Sequence, residues 1–298
     1  METLVPGLPK PDSTSGLDIV VDKSGNYLWV RNPSLFYGGL LIGIICLIAI
    51  FSKQIAPYDP IAVDFNNLLS PPNAQHWLGT DNYGRDLLSR VIMSTPLDLM
   101  VGTLSVLFPL TIGIFIGMIS GYYGGWIDNI LMRLVDVFVA FPFMVLIIVV
   151  IAVLGPGLEN VIIAVTAVSW IIYARIVRSE VLIAKNLEYV MSAKVLGYSD
   201  LRIMFRHILP NVVTTTIIFG ALDIALDILL AASLGFLGLG AQPPTPEWGA
   251  IISEGAPFMT TAWWISAFPG IAIVITGAGF ALLADGLADF LRTGGQEA

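Results

Sequence analysis

Charge is scarce in this 298-residue sequence, in which 12% of the residues are Asp, Glu, Lys or Arg against about 25% in soluble domains. Hydrophobic residues make up 56% of the chain, and the mean hydropathy is +0.83. Cysteine is nearly absent, and the single Cys46 excludes an internal disulfide and a thiolate metal cluster. The composition therefore predicts an integral membrane protein.

Motifs of common catalytic and nucleotide-binding sites are also missing. We find no Gly-x-x-x-x-Gly-Lys-Ser/Thr loop that would cradle phosphate, no His-Glu-x-x-His pair and no Ser-His-Asp layout. The two histidines, His76 and His207, lie far apart and in no metal-ligand spacing. We therefore expect no catalytic residue, no bound cofactor, no metal site and no nucleic-acid partner. Energy for any active process would have to come from another chain.

Long apolar stretches predict about six transmembrane helices in an all-α integral membrane protein. Each stretch is near or above the roughly 20 residues that a helix needs to cross the hydrocarbon. A Gly-Pro-Gly turn at 155–157 separates the third stretch from the fourth. The predicted spans cover 32–52, 99–127, 129–154, 160–177, 212–234 and part of 255–284.

Lysine and arginine predict the orientation, because they concentrate in cytoplasmic loops. The segment 175–206 holds six of them and the tail 1–31 holds three, whereas 238–259 has none. Both termini should therefore be cytoplasmic, in a multi-pass inner-membrane protein. The segment 53–90 would lie outside although it contains Lys53, Arg85 and Arg90. Asp81 and Asp86 precede the two arginines by four residues, so each pair could form along a helix.

The polar segment 188–210, EYVMSAKVLGYSDLRIMFRHILP, stands between two predicted spans. It predicts a short helix, a left-handed turn at Gly197 and a second helix that Asp200 leads and whose basic end carries Arg202 and Arg206. Pro210 would then open the next span. Such a segment suits docking on another protein; the alternative is a loop that is basic only because it is cytoplasmic.

Helical spacing also predicts which side chains of this region are buried. Leu182, Val190, Ala193 and Leu196 should share one apolar face, which leaves Lys185 and Lys194 in water.

The spacing of segment 188–210 resembles the cytoplasmic EAA loop of ABC importer permeases, which is Glu-Ala-Ala, three residues, Gly, nine residues and Ile-x-Leu-Pro. Met191 and Ser192 depart from the Glu and the first Ala of that pattern, and His207 departs from its Ile. The resemblance implies that loop 178–210 grips an ATPase. The implied coupling residues are Glu188, Met191, Ser192, Ala193, Gly197, Asp200, Arg202, Arg206, His207, Leu209 and Pro210.

Three further stretches resemble the C-type permeases of the dipeptide, oligopeptide and nickel branch. WLGTDNYGRDLLSR (77–90) would form a helix capped by Thr80. The second stretch is GYYGGWIDNILMRLVD (121–136), whose three glycines would make a tight cytoplasmic turn. An Arg133–Asp136 pair would follow, and Pro142 would loosen the helix beyond it. The role of this stretch would be either gating or simple anchoring. FLGLGAQPPTPEWGA (236–250) would be a short outer loop, either with Trp248 at the pore mouth and in reach of a docked binding protein, or a rigid turn.

Two acidic residues, Asp223 and Asp227, lie four apart on one face of the fifth span. An ionised Asp at mid-membrane costs about 2.5–3.5 kcal/mol on insertion scales, so such residues usually face a polar cavity. They are candidates for a solute path that favours cationic or amine-bearing cargo. The alternative is a pair of structural carboxylates bonded to a partner subunit.

The resemblance implies the fold of a type I ABC importer permease, with outer elements after the first and fifth spans. The chain would divide into a tail (1–31), a first span with an external segment (32–98), a core permease domain (99–291) and a C-terminal tail (292–298). Implied partners are a B-type permease, two ATPase subunits that use ATP and Mg, an outer solute-binding protein and the bilayer.

The cargo would be short peptides, with nickel chelates, opines or glycosides as alternatives. A gradient-driven carrier using the two acids and a non-transporting assembly factor are the competing classes.

Overall fold

The computed structural model describes residues 32–294, with side chains through Leu291. The predicted tail 1–31 and most of the predicted tail 292–298 lie outside this description. Within 32–294 all extended regular elements are helices; the segments 56–86 and 237–247 are turns and irregular structure, with one isolated bridge between Thr80 and Asp86. Five helices are long and apolar enough to cross a membrane, and a sixth span results if one bent helix pair is counted.

The helices are numbered here in chain order. They are α1 (Pro33–Ile50), α2 (Ser52–Ile55), α3 (Leu87–Tyr123), α4 (Gly125–Val139), α5 (Phe143–Leu154), α6 (Leu158–Ala184), α7 (Glu188–Val195), α8 (Asp200–Arg202), α9 (Leu209–Phe236), α10 (Trp248–Gly255) and α11 (Trp264–Gly294), with a π-helical turn, Ile203–Ile208, between α8 and α9.

The third predicted span, 129–154, is not one helix. It is two helices, α4 and α5, that meet at an angle of 86° across the break at 140–142. Pro142 has no N–H to donate and restricts Phe141 before it to extended conformations, so the helix ends there. The prediction that Pro142 only loosens this helix was too weak.

Other span boundaries also differ from the predicted ones. Helix α3 begins at Leu87 rather than at 99, because the Asp86 carboxylate caps it by accepting the Ser89 N–H. Helix α11 begins at Trp264 rather than near 255, since the preceding residues complete α10 and a short 3₁₀ turn. Helix α9 follows the π turn directly, so one long span runs over Asp200–Phe236 with Pro210 inside it.

The core of the bundle is the contact of α3 with α6, where small residues let the two backbones approach closely. A Cβ added at Gly113 would lie 2.3 Å from Tyr173 Cβ, and one at Gly117 would lie 2.6 Å from the Ala174 carbonyl oxygen. Gly121 belongs to this same stripe, against Val181, and not to a turn as its motif predicted. Gly124 and Gly125, with φ of 65° and 58°, make the turn between α3 and α4.

Candidate functional site

The predicted docking loop is a helix–turn–helix element whose inner face is packed on the bundle. Val190 and Ala193 of α7 and Met204 of the π turn are buried together with residues of α3 and α6. Gly197 adopts φ +77°, the left-handed conformation predicted for it. The Tyr198 N–H donates to the Ala193 carbonyl and the Gly197 N–H to that of Lys194, which is a Schellman end for α7.

The outer face of the loop is unusually apolar. Val195 is 87% exposed and Leu196 is 70% exposed. The prediction that Leu196 shares the buried face of Val190 was wrong, because six helical positions rotate it by about 120° from that residue. Exposed apolar side chains beside polar ones are typical of a surface that another protein covers.

The predicted coupling residues fall into two sets. Ala193 is buried, and His207 and Leu209 are half-buried, with the His207 ring stacked on Tyr198 at 5.8 Å. The others lie on the exposed side of the loop: Glu188, Met191, Ser192, Gly197, Asp200, Arg202, Arg206 and Pro210. The loop therefore presents most of these residues to an external partner, while their role in coupling stays a prediction.

Three contacts that the sequence did not indicate attach the loop to the C-terminal end of α3. The Tyr122 hydroxyl donates to the Asp200 carboxylate at 2.7 Å. The Lys194 ammonium lies 5.2 Å above the Tyr122 ring. Lys185, predicted to lie in water, is half-buried and donates to the Gly121 carbonyl at 2.7 Å. The repeated aromatic and glycine residues of the 121–126 motif were the only sequence signal for this junction.

Ion pairs hold α4 to α6 beside this junction. Arg178 donates from Nε and Nη2 to the two oxygens of Asp128, at 2.5 and 2.6 Å. The predicted Arg133–Asp136 pair is wrong: Arg133 is exposed, and Asp136 pairs with Arg175 at 2.7 Å, because those two helices run side by side.

On the opposite side of the bundle, four charged residues form a buried cluster. Arg85 pairs with Asp81 at 2.6 Å and with Glu254 of α10 at 2.7 Å. Arg90 pairs with Glu254 at 2.6 Å and also with Asp81. The predicted Asp86–Arg90 pair and Thr80 cap were both wrong. Because α3 begins only at Leu87, Asp86 is its cap, and the Thr80 hydroxyl donates to the Asn67 carbonyl instead.

Trp248 is buried within the chain. It is 1% exposed at the start of α10, and its indole Nε1 donates to the Val91 carbonyl of α3 at 3.1 Å. The ring is buried in this conformation, and a role for Trp248 in the solute path stays a prediction.

The residue before Trp248 caps α10. The Glu247 carboxylate accepts the Gly249 and Ala250 N–H groups at 2.7 and 2.8 Å. Burial raises the pKa of Glu247, although those two N–H groups oppose the shift. The predicted loop 236–250 is therefore confirmed over 237–247, and a buried, capped helix begins at Trp248.

Asp223 and Asp227 are both buried between helices of the same chain, with 9% and 5% exposure. The Tyr173 hydroxyl of α6 donates to Asp223 Oδ2 at 2.6 Å. Asp227 Oδ2 has no hydrogen-bond partner among the described residues. One carboxyl is thus bonded within this chain rather than to a partner subunit, and a role for the pair in a solute path stays a prediction.

The fold and these surfaces define a multi-pass membrane protein with a structured polar loop on one side and a charged, buried junction on the other. The chain belongs to the binding-protein-dependent transport system inner membrane components, whose pattern it matches over residues 113–294. Residues 29–72 match the N-terminal transmembrane domain of oligopeptide transport permease C. It is accordingly an ABC importer permease of the C type, a multi-pass protein of the inner membrane.

Two relatives illustrate the branch. The glutathione transport system permease protein GsiD of Pectobacterium atrosepticum is 42% identical over 283 residues, which covers 92% of this chain and 94% of the relative. The dipeptide transport system permease protein DppC of Alkalihalophilus pseudofirmus is 41% identical over 261 residues, 88% of this chain and 86% of the relative.

Among solved structures, the MetNI methionine ABC transporter in an inward-facing conformation matches with a TM-score of 0.50 and 18% identity, over 67% of this chain and 96% of that chain. This likeness shows the fold of a type I ABC importer permease.

Proposed function

We propose that this chain is the non-catalytic permease subunit of an importer for short peptides, energised by ATPase subunits that dock on the loop around α7 and α8. The observation that carries the proposal is the exposed side of that loop, where apolar side chains such as Leu196 stand beside Met191 and Arg202. The inner face of the loop packs on α3 and α6, so movement of the loop is transmitted to these transmembrane helices. That arrangement suits a subunit that converts ATPase closure into a change of access.

The proposed assembly contains a second, B-type permease, two ATPase chains that use ATP and Mg, and an outer solute-binding protein. Both termini would be cytoplasmic, with loop 178–210 on the same side because its basic residues follow the positive-inside tendency. The external segment 56–86 and α10 would then face the solute-binding protein. The glutathione and dipeptide relatives support small peptides as the cargo over nickel chelates, opines or glycosides.

We also propose that Asp223 and Asp227 influence which solute passes. Their enclosure between α6 and α9 means that any contact with solute requires movement of those helices. Uptake of a cationic and an anionic dipeptide would be compared in the Asp223→Asn/Asp227→Asn double variant. We expect selective loss of the cationic dipeptide; unchanged uptake of both would remove the pair from the solute path.

The test of the main proposal is co-purification. The tagged chain, extracted gently from its native membrane, should bring ATPase chains with it, and the Gly197→Asp variant should lose them. Gly238→Asp is the matched control. Gly238 also has φ +77° and open space around it, but it lies at the opposite end of α9 from the loop. If no ATPase accompanies the native chain, or if both variants lose it equally, the docking proposal fails.

A further inference from the structure

Both ends of the long span α3 contact elements outside the bundle core. Its 37 residues correspond to about 55 Å of helix. At one end Arg90 joins the buried charged cluster, and the Val91 carbonyl accepts the Trp248 indole. At the other end Tyr122 contacts the proposed docking loop. This helix therefore connects the loop with the face where α10 lies.

The loop has no covalent connection to α3. It continues directly into α6 on one side and into the π turn and α9 on the other. Movement of the loop must therefore displace α6 and α9, whereas α3 follows only as far as non-covalent contacts compel it. Side-chain contacts between the loop and α3 therefore add a direct connection to the one that α3 already has through its packing on α6.

Tyr122 is placed to make that connection. Its ring is 9% exposed and packs in the cluster that contains Val190 and Met204, so its position is fixed by its neighbours. Its hydroxyl reaches Asp200 in α8, and its ring face receives the Lys194 ammonium from α7. Both helices of the loop thus bear on one side chain of α3. A hydrogen bond to an ionised carboxylate is about twice as strong as one between neutral groups.

We propose that the Tyr122–Asp200 hydrogen bond is a positioning contact that keeps the end of α3 in register with the loop and so links the ATPase side of the membrane to the external face. The inference rests on the proposed function. It assigns neither Tyr122 nor Asp200 a contact with solute or nucleotide. Its consequence is specific. Loss of the bond should leave ATPase docking intact but interrupt communication across the membrane.

The test uses the complete complex in lipid vesicles, with the solute-binding protein and glutathione added outside. Stimulation of ATP hydrolysis by the loaded binding protein is measured for Tyr122→Phe, which removes only the hydroxyl. Tyr123→Phe is the matched control, because the Tyr123 hydroxyl has no hydrogen-bond partner within residues 32–294 and its ring neighbours Tyr122 at 5.3 Å. We expect stimulation to fall about tenfold in Tyr122→Phe, which corresponds to about 1.4 kcal/mol, with basal hydrolysis and ATPase content unchanged.

A second pair of variants separates the hydrogen bond from general damage to the loop. Asp200→Asn keeps an oxygen that can accept from Tyr122 and should retain most of the stimulation. Asp200→Ala should lose as much stimulation per bound ATPase as Tyr122→Phe, and combining the two should add little, because both remove the same contact. Stimulation is compared per bound ATPase because Asp200 is also one of the predicted coupling residues.

Three outcomes would overturn the inference. They are unchanged stimulation in Tyr122→Phe, additive losses in the double variant, and loss of the ATPase chains from the Tyr122→Phe complex, which would assign the hydroxyl to docking. Failure of the proposed function would give a different result, because the unmodified chain would then co-purify with no ATPase at all.

Discussion

Neutralising Glu254 removes one of the two acids that hold Arg85 and Arg90 in the buried charged cluster. The side chains of Arg90, Arg85 and Asp81 are 1%, 7% and 0% exposed, and that of Glu254 is 24% exposed. Two positive and two negative groups balance there. Glu254→Gln keeps the shape of the side chain but leaves one positive charge without a counter-charge in a site that water scarcely reaches.

The size of the effect follows from that burial. Breaking a buried ion pair by removing one partner costs about 3–5 kcal/mol. Because Asp81 remains and Glu254 is about one quarter exposed, we expect a smaller loss of about 2 kcal/mol. At about 2–4 °C per kcal/mol for a chain of this size, the unfolding temperature should fall by about 4–8 °C.

Thermal unfolding of the purified chain in detergent, followed by tryptophan fluorescence, measures this directly. Asp136→Asn is the control, since it also removes an acid from an arginine pair, but the side chains of Arg175 and Asp136 are 46% and 68% exposed. Such a surface pair contributes about 0–1 kcal/mol. Equal shifts for Glu254→Gln and Asp136→Asn would refute the argument that burial sets the strength of the cluster.

Further outcomes are expected of single residues. Gly113→Ala should lower the unfolding temperature by the equivalent of about 1–3 kcal/mol, because its Cβ would meet Tyr173, whereas Gly270→Ala, with nothing within 4 Å, should be neutral or slightly stabilising. Gly197→Ala should cost about 1–2 kcal/mol through its positive φ and reduce the ATPase that co-purifies. Burial raises the pKa of Glu247, so the folded state holds that proton more tightly than the unfolded state. Stability should therefore fall as the pH rises from the usual carboxyl range through the raised value, and Glu247→Gln should flatten this dependence.

Features that depend on neighbouring residues could be predicted from the sequence. The length of the apolar stretches predicted where the spans lie. The left-handed turn at Gly197 could be predicted because glycine adopts that conformation without strain, and the structure confirms it. The break at Pro142 was anticipated in position but not in size. Whether a proline bends a helix or ends it depends on what the two halves pack against, which the local sequence does not contain.

Contacts between distant residues could not be predicted in this way. Arg90 and Glu254 are 164 positions apart, so spacing rules for a single helix assigned Arg90 to the nearby Asp86 instead. The Tyr122–Asp200 bond joins residues 78 positions apart. For Trp248 the sequence left a position at the pore mouth and a rigid turn both open, and its bond to the Val91 carbonyl, 157 positions away, was not foreseen. In each case the partner is chosen by how the helices pack.

The most direct test of the account is ATP-dependent uptake by the purified complex in sealed vesicles, measured with labelled glutathione and a labelled dipeptide. We predict accumulation that requires ATP hydrolysis, stops with a non-hydrolysable analogue and persists when ion gradients are collapsed. Accumulation that needs no ATP but follows an imposed ion gradient would contradict the account and favour a carrier built on Asp223 and Asp227.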